Sequence, residues 1–247
     1  KVLEVNDDIN IPRRLTLNDK IIVDSKNYEK LSPKEIIAFS SQIGASKIAL
    51  ELGYEELKKN YYNFGFTKPI SINFPSSAFG YMNIKESVND KELASLGYGY
   101  GITISPFQIA SAYSVFANEG ILKDFKLLKN QEVTSKQIIS SDTANHILDA
   151  LRMVVKDGTG KAANINGFSA GGKTGTVHQI KRGSGYAEDS YRASFIGIAP
   201  LNTKSLTIFV SIDEPGLNSY SGGTVAAPVF AKVAESSLNY LGYFQDE

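Results

Sequence analysis

The chain has 247 residues, enough for one large domain or two lobes around a sizeable core. Its hydrophobic fraction, 42%, is that of an ordinary globular protein, and 26 Lys+Arg balance 26 Asp+Glu, which removes the electrostatic case for nucleic acid or an anionic membrane surface. With no cysteine there is no disulfide frame and no thiolate chemistry, and the two histidines, His146 and His178, lack metal-ligand spacing, so neither a metal nor a cofactor is expected.

No apolar run is long enough to span a bilayer, and there is no signal peptide. The chain begins at Lys1, so the expectation is a piece of a longer polypeptide, or one that has been processed.

The first predicted element is a small hairpin, Leu15-Thr16-Leu17 against Ile21-Ile22-Val23, turning at Asn18-Asp19. A helix is predicted from Ser32-Pro33-Lys34-Glu35: Ser32 as N-cap, Pro33 at the first helical position, Glu35 closing a capping box. Ile36, Ile37, Phe39, Ile43, Ile48, Ala49 and Leu52 continue a helical pattern that is interrupted near Ser40-Ser41 and ended by Gly53. A further helix runs from Glu55 to Asn63 and stops at Gly65.

Residues 67–92 read as irregular. Gly97-Tyr98-Gly99-Tyr100-Gly101 reads as a tightly packed loop, since alternating glycines disfavour a helix interior. Ser105-Pro106-Phe107-Gln108 repeats the capping pattern. Its helix carries Ile109, Ala112, Tyr113, Phe116 and Ala117 on one stripe and ends at Gly120.

A long helix follows Ser140-Ser141-Asp142, with Ala144, Ile147, Leu148, Leu151, Val154 and Val155 at helical spacing and a stop at Asp157-Gly158. Three strands come next, Lys173 to His178, Tyr191 to Ala199 and Leu206 to Ile212. Their short connections imply an antiparallel sheet. The last helix, Ala227 to Leu241, places Val229, Phe230, Val233, Ala234, Leu238 and Leu241 on the face expected to lie on that sheet. The order predicts an α+β fold in two lobes of one domain. Residues 1–139 form a mainly helical lobe; residues 140–247 form a helix, the antiparallel sheet and a C-terminal helix.

Two stretches carry candidate chemistry. In Gly171-Gly172-Lys173-Thr174-Gly175-Thr176-Val177 the strand period of two sends Lys173 and Gly175 to one side and Thr174 and Thr176 to the other. A cation, two hydroxyls and a close-approach glycine make a cradle for a carboxylate; the plainer reading is a polar edge strand whose lysine blocks aggregation. Ser40-Ser41-Gln42 sits where two helical patterns meet. There it either projects into a cleft or simply caps the second helix.

The order of these features resembles the later part of the transpeptidase domain of class B penicillin-binding proteins, in particular the septal cell-division type. Ser40 to Leu50 resembles the family's Ser-x-Asn segment and the helix after it. Gly97 to Gln108 resembles its glycine-rich loop. Val154 to Ala163 resembles the lead-in to Lys-Thr-Gly, and Gly172-Lys173-Thr174-Gly175-Thr176 is that motif itself. Tyr220-Ser221-Gly222-Gly223 with Ala227-Pro228-Val229-Phe230 resembles the end of the sheet region. There are two departures. No serine here has lysine three residues later, so the family's Ser-x-x-Lys nucleophile motif is expected before Lys1, with the first two strands of the sheet. Gln42 stands where the family has asparagine, one methylene longer.

The resemblance implies the penicillin-binding-protein and serine β-lactamase-like fold and a peptidoglycan D,D-transpeptidase. A serine attacks a stem peptide ending in D-Ala-D-Ala, and β-lactams mimic that dipeptide. On that basis Ser40 is expected in the proton relay, Gln42 on a substrate amide, and Lys173 as positive potential that orients Ser40. Thr174 and Thr176 are expected on the terminal carboxylate, the Thr176 N–H in the oxyanion hole, Gly175 under the substrate strand, and Tyr220 and Gly222 as pocket walls. The implied setting is the periplasmic side of the inner membrane, anchored by an N-terminal helix outside this chain, with division-complex membrane proteins as further partners. Two alternatives stand beside it, a non-catalytic scaffold of the same fold and a serine β-lactamase or β-lactam sensor.

Overall fold

The computed structural model describes residues 4–5, 7–67, 80–82, 85–181, 185–216 and 219–244, and the chain divides into two compact units, Lys1–His146 and Ile147–Glu247. In the first unit β1 (Ile9–Asn10) pairs antiparallel with β4 (Lys30–Leu31), and between them β2 (Leu15–Leu17) pairs with β3 (Lys20–Ile22). The β2–β3 turn is the predicted one: Asn18 sits at φ 54°, the left-handed conformation asparagine tolerates better than most residues.

Helix α1 (Pro33–Phe39) starts as the sequence indicates. Ser32 accepts from the Glu35 N–H, and Glu35 accepts in return from the Ser32 N–H. Helices α2 (Gln42–Leu52) and α3 (Tyr54–Asn63) follow, divided at Gly53 (φ 84°), which supplies a backbone conformation that L side chains resist. The core of this region is Ile11, Ile22, Leu31, Ile36, Ile43 and Ala94.

The irregular reading of residues 67–92 needs correction. Residues 68–79, 83 and 84 lie outside the described residues, but a short strand, β5 (Tyr81–Met82), and a helix, α4 (Asp90–Gly97), occupy parts of the rest and of the segment after it. The sequence did carry the signal for α4: Asn89 and Glu92 form a full capping box. Gly97 ends that helix and is a packing glycine, since a Cβ there would come within 2.5 Å of the Ala49 Cβ and 2.8 Å of the Ala45 carbonyl oxygen.

Strand β6 (Ile102–Thr103) pairs with β5, and α5 (Pro106–Ala117) begins at a third capping box, Ser105 with Gln108. The Gln108 side chain, 1% exposed, is fully engaged. Its Oε1 accepts from the Gly80 N–H (2.6 Å) and the Ser105 N–H (2.9 Å), and its Nε2 donates to the Gly65 (3.1 Å) and Phe66 (3.3 Å) carbonyls. One side chain thus ties three separate stretches of backbone, two of them through buried N–H groups that need a partner. A ribbon of β7 (Ile121–Lys123) and β8 (Ser135–Gln137) leads into α6 (Ser141–Lys156), within which the division between units falls.

The second unit is built on an antiparallel sheet in the order β11-β10-β9: β9 is Gly171–Lys181, β10 Gly185–Ala199 and β11 Leu206–Asp213. A single-turn 3₁₀ segment, Lys161–Ala163, precedes the sheet. A π-helical turn, Gly222–Ala226, leads into α7 (Ala227–Tyr240). Helix α7 packs Phe230 against Phe195 of β10, ring centroids 5.0 Å apart, in a core that includes Val155, Ile165, Phe168, Ala234 and Leu238. The buried stripe of α7 is narrower than its sequence suggests. Ala227, Phe230, Ala234 and Leu238 are buried, but Val229, Val233 and Leu241 are 40%, 44% and 55% exposed. The helix rests on the sheet through one i, i+3/i+4 row, and the row beside it faces outward.

Candidate functional site

Ser40 and Gln42 belong to the first unit, and Lys173, Thr174, Gly175, Thr176, Tyr220 and Gly222 to the second. In the first unit, α1 ends in a two-bond turn. The Ser40 N–H donates to the Ile37 carbonyl (3.4 Å) and the Ser41 N–H to the Ile36 carbonyl (3.0 Å). This is the Schellman arrangement, and its left-handed position is usually glycine. Here it is Ser40, at φ 59°, ψ 44°. The left-handed region costs a residue with a Cβ about 1–2 kcal/mol, so the turn keeps a side chain where backbone energetics favour none.

Ser41 is buried and acts as the N-cap of α2, accepting from the Gly44 N–H at 2.9 Å. Its own hydroxyl donates to Asp24 Oδ2 at 2.5 Å, and Asp24 Oδ1 accepts from the Ile43 N–H at 3.1 Å. The two flanking residues, Ser40 and Gln42, are exposed. The capping and the projecting roles, which the sequence left as alternatives for this stretch, are therefore divided between neighbours. Ser41 caps, and Ser40 and Gln42 point outward. Asp24 carried no signal in the sequence, because its partner lies seventeen positions further on.

In the second unit β9 is the edge of its sheet, paired on one side with β10 through Lys173↔Ile196, Thr174↔Phe195, Gly175↔Ser194 and Thr176↔Ala193. Alternation puts Thr174 and Thr176 on the Phe195 face, toward which α7 packs, and Lys173 and Gly175 on the other. Burial strips water from the Lys173 ammonium and pushes its pKa down from 10.5 to about 8. Its Nζ donates to the Thr174 carbonyl at 3.2 Å.

The Thr174 hydroxyl lies 2.8 Å from that of Thr159, which belongs to the Gly158-Thr159-Gly160 turn after α6. The Gly222 N–H donates to Thr176 Oγ1 at 2.9 Å. That bond uses one lone pair of the hydroxyl and leaves its O–H as a donor. Gly222 is buried against the strand pair. A Cβ there would lie 2.2 Å from the Ser194 carbonyl oxygen and 2.5 Å from that of Gly175. Beside Gly175 itself, the Ser194 hydroxyl would lie 2.5 Å from an added Cβ.

Tyr220 stacks on Tyr191 of β10, centroids 4.2 Å apart at 20°, and Tyr191 meets His178 of β9 at 4.5 Å. The sequence singled out Tyr220 but missed the roles of its ring partner Tyr191, of His178 beyond it, and of Thr159. Strand register pairs Tyr191 with His178, and tertiary packing brings Tyr220 and Thr159 against the strands.

The second unit is thus a helix-flanked antiparallel sheet of the α+β class, with a desolvated lysine and two hydrogen-bonded threonine hydroxyls on its edge strand. Comparison with known proteins names the family. Residues 4–235 match the penicillin binding protein transpeptidase domain, and the chain belongs to that family.

Among similar proteins, the probable peptidoglycan D,D-transpeptidase PbpC of Pseudomonas aeruginosa is 34% identical over 232 residues, covering 93% of this chain and 41% of its own length. Stage V sporulation protein D of Bacillus subtilis is 35% identical over 221 residues, covering 84% and 34%. The apo TP domain of Burkholderia pseudomallei penicillin-binding protein 3 superposes with a TM-score of 0.90 at 32% identity, over 99% of this chain and 75% of that one. The chain thus spans well under half the length of these two sequence relatives.

Proposed function

We propose that this chain forms the receiving part of a peptidoglycan D,D-transpeptidase active site, acting on stem peptides that end in D-Ala-D-Ala and acylated by β-lactams. The observation that carries the reading is the Lys173–Thr176 edge strand. It carries a desolvated ammonium on one face and, on the other, two hydroxyls held by Thr159 and Gly222, groups able to bind a small carboxylate. Its open edge suits an extended peptide laid along it as an added strand.

In the acyl transfer, Thr174 and Thr176 hold the terminal carboxylate, and Lys173 supplies positive potential for it. The Thr176 N–H stabilises the developing oxyanion, a contribution of ~10²–10³ in rate for one such donor. Ser40 relays the proton toward the leaving amine, and the exposed Gln42 amide contacts the substrate backbone. No serine in the 247 residues has lysine three positions on, so the attacking serine is assigned to polypeptide outside them. On this reading the full-length protein works on the periplasmic side of the inner membrane, held by an anchor outside this chain. No helix among the described residues is long and apolar enough to cross a membrane.

Fluorescent penicillin tests the assignment. Expected is covalent labelling of the full-length protein and none of the 247-residue chain. In full-length Ser40→Gly, labelling should slow about 100-fold or more, while stability holds or rises by about 1 kcal/mol, because glycine suits the left-handed turn. Covalent labelling of the chain alone would overturn the placement of the nucleophile. A full-length protein that folds but takes no label would replace the enzyme by a scaffold of the same fold.

A further inference from the structure

The Ser40 turn is held from both sides by one segment of the first unit, and we infer that Asp24 is a positioning residue that sets the presentation of Ser40 and Gln42. The inference rests on the transpeptidase reading above and deepens it.

Ser40 occupies a left-handed conformation without the glycine that would make it easy. A strained residue of this kind persists only where its surroundings over-determine it. Inside the turn the backbone bonds to Ile36 and Ile37 are part of that constraint, but they hold Ser40 only from the α1 side.

The α2 side is held by Asp24. One carboxylate oxygen takes the Ser41 hydroxyl at 2.5 Å, and the other takes the Ile43 N–H at 3.1 Å. The residues on either side of Gln42 are therefore bonded to the same rigid, planar group. Ser41 in turn accepts from Gly44, so the carboxylate, the hydroxyl and the first turn of α2 form a closed network. An anion at this place also suits the exposed N–H groups and positive end of the helix dipole.

The α1 side has a second anchor from the same segment. Tyr28, four residues after Asp24, stacks on Phe39, the last residue of α1, with centroids 5.8 Å apart and the rings within 13° of parallel. Burial, and then the nearby Asp24 charge, push the Tyr28 phenol up, which fits a ring laid beside that carboxylate. The residues before and after Ser40, Phe39 and Ser41, are thus both clamped by the Asp24–Tyr28 segment, while Ser40 itself is left exposed between them. A cap alone would need only Ser41. A carboxylate that also binds Ser41 and Ile43 sets the direction in which the turn faces. An acyl transfer in which Ser40 moves a proton is sensitive to that direction, since a misplacement of about 1 Å can cost on the order of 10²-fold in rate.

The test uses the full-length protein, with acylation by fluorescent penicillin resolved into a dissociation constant for the pre-covalent complex and a rate constant for acylation. Asp24→Ala is expected to lower the rate constant about 10-fold or more per folded molecule, with the dissociation constant changed less than about threefold. Asp24→Asn should recover most of the rate, because its Oδ1 still accepts from Ile43 and its Nδ2 can donate to Ser41 Oγ. If Asp24→Ala does not fold, Ser41→Ala removes the same bond from the other partner and must show the same slowed acylation.

A purely structural role predicts instead that activity follows the folded fraction, with the rate constant per folded molecule unchanged. That result would overturn the inference, as would an Asp24→Asn protein as slow as Asp24→Ala. Ser40→Gly, run in parallel, separates the two layers. If it acylates at the wild-type rate, the role given to Ser40 has failed; if it is slow while Asp24→Ala is normal, only the positioning role has.

Discussion

At the scale of single residues, each unit keeps one candidate side chain under unfavourable conditions. Ser40 holds a backbone conformation suited to glycine, and Lys173 holds a charge where water is scarce. Neither adds to stability, which is the usual mark of a functional position rather than a structural one. For Lys173 the sign of the pH effect follows directly. The unfolded chain keeps the proton up to about pH 10.5, whereas the folded chain releases it near 8, so the folded state binds fewer protons between those values. Stability therefore rises with pH across that window, and below about pH 8 the cost of burying the ammonium is present in full. Paired melts should show wild type gaining on Lys173→Met between pH 7.5 and pH 10, and a constant difference would show that the ammonium is not depressed. The same deprotonation predicts that carboxylate recognition by this strand weakens above about pH 8.

At the scale of elements, the site strand is shaped by what lies on it. The Gly222–Ala226 turn rests directly on the β9–β10 backbone, and its first N–H holds the Thr176 hydroxyl. Gly222→Ala would drive a methyl against two carbonyl oxygens, at 2.2 Å and 2.5 Å, that belong to the sheet and cannot yield as a side chain would. The expected loss is about 1–3 kcal/mol in denaturant unfolding, together with a displaced Thr176 hydroxyl. An unchanged unfolding midpoint would mean that the turn can lift off the sheet without cost. Ser221 caps the same turn by accepting from the Thr224 N–H, so the turn is built to stay in place.

At the scale of the whole molecule, each unit has its own apolar core, and the second is centred on the α7–sheet contact. Phe230 is fully buried against Phe195, whereas Val233, one turn on, is 44% exposed. Phe230→Ala should cost about 3–5 kcal/mol and Val233→Ala less than about 0.5 kcal/mol, both read by chemical denaturation. Equal losses would place the buried row of α7 elsewhere. Val229 and Val233 looked like core in the sequence, because a helical apolar row shows its period but not the width of the face its neighbour covers.

The sequence by itself determined the elements whose causes are local. Ser32 with Glu35 and Ser105 with Gln108 start their helices, Gly53 divides two more, and Asn18-Asp19 turns the first hairpin. The alternation from Lys173 to Thr176 sorts four residues onto two faces. The capping box at Asn89 was equally local, and α4 was missed because its glycine-rich end argued against a helix. The motif order was also legible, and the family match agrees with it. Only the tertiary structure decided which of Ser40 and Ser41 faces outward, that Asp24 clamps that turn, and that Gly222 holds Thr176. It also decided that Tyr191 lies between His178 and Tyr220. These are contacts across many intervening residues, set by register and close packing, and such contacts leave no periodicity along the chain from which to read them.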